Sequence, residues 1–274
     1  MRLADKVAVI VGGGAGIGRA CAERFAAEGA AIMLGDVNAD DGQTAAKDIA
    51  AAGGAVDFVE MDATVADDAE RLADETVRHF GRIDVVQNNA YFGGANGVLL
   101  GDLTEELWRR TIDTTLHSGF LIARAALPYM QRQGSGTFVF TASSQGLFPS
   151  RAFSAYSVAK AGVVMLAKAV ACDYGKAGIR SNALCPGVTR TRYARHFIEA
   201  LEEHYLAHQL VGQVNEADDV ASAAVFLASD ESRNMQGGVL QLDGGINLRH
   251  FASWDVEPLL EPPYRRSRPL AEPS

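Results

Sequence analysis

Val11-Gly12-Gly13-Gly14-Ala15-Gly16-Ile17-Gly18 is preceded by the apolar run Lys6–Val11 and followed by the Ala-rich stretch to Ala27. The run before it reads as a buried strand and the stretch after it, Gly16–Ala27, as a helix. The spacing is Gly-x-x-x-Gly-x-Gly, because position 17 is Ile. Glycines in such a turn permit a sharp reversal and let backbone N–H groups approach an anion at the helix N-terminus. A Gly-rich turn alone is often only a tight connection. Between a strand and a helix it points to a dinucleotide pyrophosphate, held by Gly12, Gly14, Ala15, Gly16, Ile17 and Gly18.

Outward from this turn the alternation continues. Ala30–Gly35, Val56–Glu60, Ile83–Gln87, Thr137–Thr141, Ile179–Leu184 and Gly238–Leu242 read as strands. Helices are expected over Ala39–Ala52, Val65–Phe80, a long Glu105–Gln131, and the segment through Tyr156 to Tyr174. Near-continuous apolar strands between helices predict a parallel sheet covered on both faces. The expected fold is α/β, a Rossmann-like doubly wound sheet of about seven strands with right-handed crossovers. One domain spans 1–247, with a segment over the substrate at about 190–212. The Pro- and Arg-rich stretch 248–274 reads as an extended tail.

The chain has 274 residues, 48% of them hydrophobic, and a formal net charge of −9. An acidic balance argues against nucleic acid as a partner. No apolar run is expected to approach the ~20 residues of a membrane span, and the opening six residues are read as leaving no room for a leader. Cys21, Cys172 and Cys185 lack metal-ligand spacing and fit a reducing, cytoplasmic setting. No metal is expected, although His204 and His208 are four residues apart.

Asp36 ends the second predicted strand, next to Val37. An acidic side chain there can accept bonds from both ribose hydroxyls and repels a 2′-phosphate, which favours NAD over NADP. Asp62 and Ala63 follow the third strand, within reach of the adenine, and Asn88-Asn89 follow the fourth. Tyr156 and Lys160 lie one helical turn apart, so they share a face. A phenol titrates near pH ~10, and a nearby ammonium lowers that value. Such a Tyr can exchange a proton with an alcohol or carbonyl oxygen, and Ser143 can hold the same oxygen.

The ordered set resembles the short-chain dehydrogenase/reductase family over roughly residues 4–247. The matching motifs are Gly12-x-x-x-Gly16-x-Gly18, Asp62, Asn88-Asn89-Ala90, Ser143, Tyr156-x-x-x-Lys160, Asn182, Pro186-Gly187 and Asp243-Gly244-Gly245. The resemblance implies that Ser143 polarises the substrate oxygen, Tyr156 is the general acid/base, and Lys160 bonds the nicotinamide ribose and lowers the Tyr156 pKa. It implies that Pro186, Gly187, Val188, Thr189 and Thr191 frame the nicotinamide carboxamide, and that hydride passes between nicotinamide C4 and the substrate carbon. Three positions depart from the family pattern: Val11 stands where Thr is usual, Tyr91 where Gly is usual, and Thr115 in place of the Asn that positions a water near the lysine.

On the substrate side, Tyr91, Phe92, Phe148, Phe153, Tyr193 and Phe197 suggest a small hydrophobic alcohol or ketone, with ordinary packing as the competing reading. The resemblance also implies a homotetramer or homodimer built on the long helices. The leading expectation is an NAD-dependent alcohol dehydrogenase or ketone reductase. A dinucleotide-binding sensor or scaffold with weakened catalysis, motivated by Thr115 and Tyr91, and an NADPH-linked ketoreductase stand as alternatives.

Overall fold

The structure, a computed structural model, describes residues 1–192 and 194–248, without the side chains of residues 196, 197, 201 and 204. The expected tail therefore lies outside the described residues, apart from Leu248. So do Tyr193 and the Phe197 side chain.

Strands β1 (Val7–Val11), β2 (Ala31–Asp36) and β3 (Val56–Glu60) alternate with helices α1 (Gly16–Ala27), α2 (Ala39–Ala51) and α3 (Ala66–Phe80). Strand β4 (Val85–Asn88) leads to α4 (Glu105–Ile112) and α5 (Ser118–Gln133). Strand β5 (Gly136–Thr141), α6 (Ser154–Tyr174) and β6 (Ile179–Pro186) follow. The rest comprises β7 (Thr189–Arg190), α7 (Arg195–His208), β8 (Asn215–Glu216), α8 (Ala217–Ala228) and β9 (Val239–Leu242). The main sheet has the order β3-β2-β1-β4-β5-β6-β9 and every pairing in it is parallel. Strands β7 and β8 form a separate small ladder.

Period-2 alternation of apolar residues divides the core. On β1, Val9 and Val11 face a cluster that includes Leu72, Leu121, Phe138 and Val163, beneath α3, α5 and α6. Ala8 and Ile10 face the other cluster, with Phe25, Leu34, Val139 and Val220, beneath α1 and α8. Both faces of the sheet are thus dry, which is why its strands read as unbroken apolar runs. The chain runs from β1 to β2 on one side and returns to β4 on the other. The strand order reverses between β1 and β4, so a crevice opens at their C-terminal ends.

Two sequence expectations need correction. The single long helix is instead α4 and α5 joined by one π turn, Asp113–His117. Within this turn Thr115 is buried at 1% exposure. Ser118 Oγ donates back to the Thr114 carbonyl at 2.7 Å, a local side-chain bond of the kind that bends helices. A π turn adds one residue to the helical cycle and re-aims the side chains after it. The second correction concerns apolar length. Ser154–Ala177, built on α6, is long and apolar enough to cross a membrane by length and composition, with half of it buried. Its hydropathy has an internal use: Ala155, Ala159, Val163 and Ala167 pack into the fold beside Lys160.

Candidate active site

The crevice at the strand ends is a groove of about 1510 Å³ that reaches from the Gly-rich turn to Tyr156 and Lys160. At the turn, α1 begins at Gly16 with Ala15 as its cap residue, and no side chain caps it. Its first N–H groups are therefore open to an anionic ligand. A Cβ placed on Gly18 would lie 1.8 Å from the Gly12 carbonyl oxygen. Only glycine lets the helix start this close to the strand end, and that approach forms the floor of the cradle.

Asp36, at the end of β2, accepts the Gly14 N–H at 2.8 Å and the Asn38 N–H at 2.9 Å. Each carboxylate oxygen keeps further acceptor capacity toward the groove that Asp36 lines. Asp62 accepts the backbone N–H and hydroxyl of Thr64, so it shapes its own turn as well as lining the groove.

Beneath the far half of the groove lies a polar knot that sequence reasoning missed. Gln87 is fully buried and donates to Asn89 Oδ1 at 3.0 Å and to Thr141 Oγ1 at 2.7 Å. Thr141 donates to the same Asn89 oxygen at 2.6 Å. Asn89 N–H in turn donates to the Val11 carbonyl at 2.9 Å. The knot ties the ends of β1, β4 and β5 together. It supplies side-chain bonding where Val11 offers none.

Ser143, Tyr156 and Lys160 all line the groove. Ser143 caps a short 3-10 turn, Ser144–Gly146, and its Oγ accepts the Gln145 N–H at 3.1 Å. That bond uses an acceptor site of the hydroxyl and leaves its single proton available for donation. The turn seats directly on α6: a Cβ on Gly146 would lie 2.7 Å from the Lys160 carbonyl carbon. Gly146 thereby sets Ser143 against the turn of α6 that carries Lys160. Its signal in the sequence is a single glycine, which periodicity does not distinguish from any other.

The electrostatics differ from the sequence expectation. Lys160 is 3% exposed and donates to the Thr141 carbonyl at 2.6 Å, and its Nζ lies 5.7 Å from the centre of the Tyr156 ring. Burial pushes the Lys160 ammonium down to about 8, against a smaller opposing effect of Cys185. The Tyr156 phenol is held above its ordinary value, chiefly by burial, while a hydrogen bond from Ser143 pulls it down. The lowering expected from Lys160 is not found. Its ammonium addresses a backbone carbonyl and the ring rather than the phenol oxygen, and desolvation disfavours a phenolate.

Aromatic rings pack around Tyr156. Tyr91 meets it edge to face at 5.3 Å between centroids, and Phe153 does so at 6.4 Å. The Tyr91 hydroxyl accepts a bond from Asn96 Nδ2 at 2.8 Å. Phe92 lies under the Arg110 guanidinium at 4.2 Å. Tyr91, Phe92 and Phe153 line the groove, whereas Phe148 does not. Thr115 Oγ1 is the acceptor of a long 3.5 Å contact from Phe92 N–H. Of the remaining expected contacts, Gly12, Ala15, Gly16, Ile17, Gly18, Val37, Ala63, Asn89, Pro186, Gly187, Thr189 and Thr191 lie on the groove wall. Gly14 and Val188 do not; Gly14 N–H bonds Asp36, and the Val188 carbonyl accepts Asn215 N–H. Asp41, Asn96 and Arg110 also line the groove. Their sequence signal is weak, because polar and charged residues on exposed turns and helix faces read as solvated. Among the described residues, no group of three or more His, Cys, Asp or Glu is placed to hold a metal ion.

The family model described as enoyl-(acyl carrier protein) reductase matches residues 12–247. The 3-oxoacyl-[acyl-carrier-protein] reductase FabG of Thermotoga maritima is 33% identical, over 90% of this chain and 99% of its own length. The L-rhamnose 1-dehydrogenase (NAD(P)(+)) of Azotobacter vinelandii is 35% identical, over 90% of this chain and 98% of its own. A solved structure of 7α-hydroxysteroid dehydrogenase complexed with NADH and 7-oxo glycochenodeoxycholic acid superposes with a TM-score of 0.85. It is 30% identical and the match covers 89% of this chain and 95% of that one.

Proposed function

This chain belongs to the short-chain dehydrogenase/reductase family of oxidoreductases, and from that premise we propose that it is NAD(H)-dependent and interconverts a secondary alcohol and its ketone, with Tyr156 as general acid/base. One observation carries the reading: Ser143, Tyr156 and Lys160 share a groove with the uncapped start of α1 and with Asp36. The residues present fit a nicotinamide dinucleotide. The Gly12–Gly18 cradle suits its pyrophosphate and Asp36 its adenosine ribose, while Asn89 and Lys160 lie toward the nicotinamide end. When bound, the nicotinamide supplies or accepts the hydride.

The chain's own residues handle the proton and the oxygen. In the oxidative direction, Ser143 donates its hydrogen bond to the alcohol oxygen, and Tyr156 takes the hydroxyl proton as the carbon loses hydride. In reduction, Tyr156 returns that proton to the forming alkoxide. Above its ordinary value, Tyr156 is protonated near neutral pH, the form that donates in reduction, whereas taking the alcohol proton in oxidation requires its phenolate. Tyr91, Phe92 and Phe153 close the substrate side with apolar surface, which favours a ring-bearing or otherwise hydrophobic substrate. Thr115 stands where the family pattern has Asn, and a Thr hydroxyl offers a water near Lys160 fewer hydrogen-bonding groups than an amide does. Exposed Phe120, Val158 and Met165 on α5 and α6 support association into a homodimer or homotetramer.

Asp36 is the observation that favours NAD over NADP. The test is a fluorescence titration with NADH and NADPH, followed by turnover over a panel of cyclic and acyclic secondary alcohols and ketones. Tighter NADH binding with turnover of a ring-bearing substrate is the expected result. Tighter NADPH binding would overturn the cofactor assignment. NADH binding without turnover of any alcohol or ketone would favour the sensor reading.

A further inference from the structure

Arg192 and Asp41 meet across the mouth of the groove, although 151 residues separate them in the chain. Asp41 lies in the first turn of α2, on the adenosine side, and lines the groove. Arg192 lies between β7 and α7, in the segment that continues the nicotinamide-side turn. The pair is two-pronged: Arg192 Nη1 donates to Asp41 Oδ1 at 3.0 Å, and Nη2 donates to Oδ2. A guanidinium fork on a carboxylate has a defined geometry that a single-point surface pair lacks. The Asp41 side chain is 20% exposed and the Arg192 side chain 59%, so solvent covers one partner of the pair and screens the other less.

Both ends are anchored. Asp41 N–H donates to Asn38 Oδ1, Asn38 N–H to Asp36, and the second Asp36 oxygen receives Gly14 N–H. The carboxylate partner is thus bonded, step by step, to the phosphate turn itself. On the other side, Arg190 pairs with Glu202 and Glu216 and roots the segment at the small β7–β8 ladder. Thr191, between root and tip, and Ala194, just beyond the tip, line the groove, and Thr191 packs over Gly16, with 3.5 Å between its methyl carbon and a Cβ placed on that glycine. The segment therefore lies across the start of α1, where a pyrophosphate would sit.

We propose that Asp41 and Arg192 form a clasp over the dinucleotide groove and set the rate at which bound cofactor leaves. The inference rests on the dinucleotide reading of the groove. A dinucleotide lying from Asp36 to Lys160 passes beneath Thr191 and Ala194, on the segment that carries Arg192. Its release requires that segment to lift, and lifting separates Arg192 from Asp41. The clasp holds the path of exit and touches none of Ser143, Tyr156 or Lys160.

Stopped-flow fluorescence of NADH, and in parallel NADPH, dissociating from the full chain tests the clasp. The variants are Asp41→Asn, Arg192→Gln and the two combined. Each single change is expected to raise the dissociation rate about two- to fivefold, the range an exposed-to-half-covered ion pair supports. The double variant is expected to match the singles, because either change alone already opens the clasp. Raising salt should speed release from the parent chain and do so less in the variants. Unchanged release in both singles, or effects that multiply in the double, would overturn the clasp while leaving the dinucleotide reading standing. A parent chain that binds neither NADH nor NADPH would overturn that reading and the clasp with it.

Discussion

The two ends of the groove are built from different materials. The phosphate end is backbone: an uncapped helix start, a glycine against a carbonyl, and two N–H groups on Asp36. The substrate end is side chain: Tyr91 and Phe153 edge-on to Tyr156, and Phe92 under Arg110. A backbone site admits few residue types and tolerates little change. A side-chain site can exchange one ring for another while the scaffold stays put. The phosphate end should therefore fail by losing structure or cofactor, and the substrate end by changing what is accepted.

The largest effect expected lies where the two ends meet. Tyr156→Phe should cut turnover about 10²- to 10⁴-fold, the range of a lost general acid/base, while NADH titration still shows binding. Turnover within tenfold of the parent would remove Tyr156 from that role. Next, Gly18→Ala should cost about 3 kcal/mol of stability in denaturant unfolding, since its methyl meets the Gly12 carbonyl. A fully stable variant would show that the turn relaxes and that the backbone end is less strict than its geometry implies. Asp36→Ala should weaken NADH about tenfold or more and NADPH far less, read from paired titrations. Equal losses for both cofactors would make Asp36 a brace for the turn and nothing more.

A pH effect of about 1 kcal/mol is expected from Lys160. Burial holds its folded value near 8, below the unfolded lysine, so folding opposes its charge. The resulting penalty is full below pH 8 and fades as pH rises from there toward the unfolded value. The parent chain should therefore gain about 1 kcal/mol relative to Lys160→Met between pH 7 and pH 9 in denaturant melts. A gap independent of pH would mean that Lys160 keeps its ordinary titration in the fold. The smallest structural effect is expected at Tyr91. Tyr91→Gly should change stability by no more than about 1 kcal/mol, because the residue is 45% exposed. Its effect should appear as a several-fold change in KM for bulky against slender ketones, with NADH affinity unmoved. A loss of NADH binding there would erase the division between the two ends.

Much of this architecture was legible from local pattern. The unbroken apolar strands predicted a sheet covered on both faces, and the sheet is parallel with helices on each side. The glycine spacing marked the cradle because close backbone approach leaves few alternatives to glycine. Tyr156, Lys160 and Ser143 were visible as types and spacings, and they do line one groove. Other features were hidden. Gln87 on β4 looked like a polar interruption, and only strand pairing brings it to Asn89 and Thr141. The break at Thr115 was hidden because an apolar period runs on through one extra residue while the hydrogen bonding changes to a π turn.

The sequence by itself determined which residues can perform the chemistry and that a helix begins at a glycine-lined strand end. Periodicity and backbone sterics act over a few residues, and those are written in order along the chain. The tertiary structure alone decided where the Lys160 ammonium points, which rings enclose Tyr156, and that Arg192 reaches Asp41. Each of these depends on burial and on distances between segments far apart in the chain. Desolvation moves Tyr156 opposite to the direction its neighbour in sequence suggested, because a buried charge responds to the whole volume around it rather than to the residue one turn away.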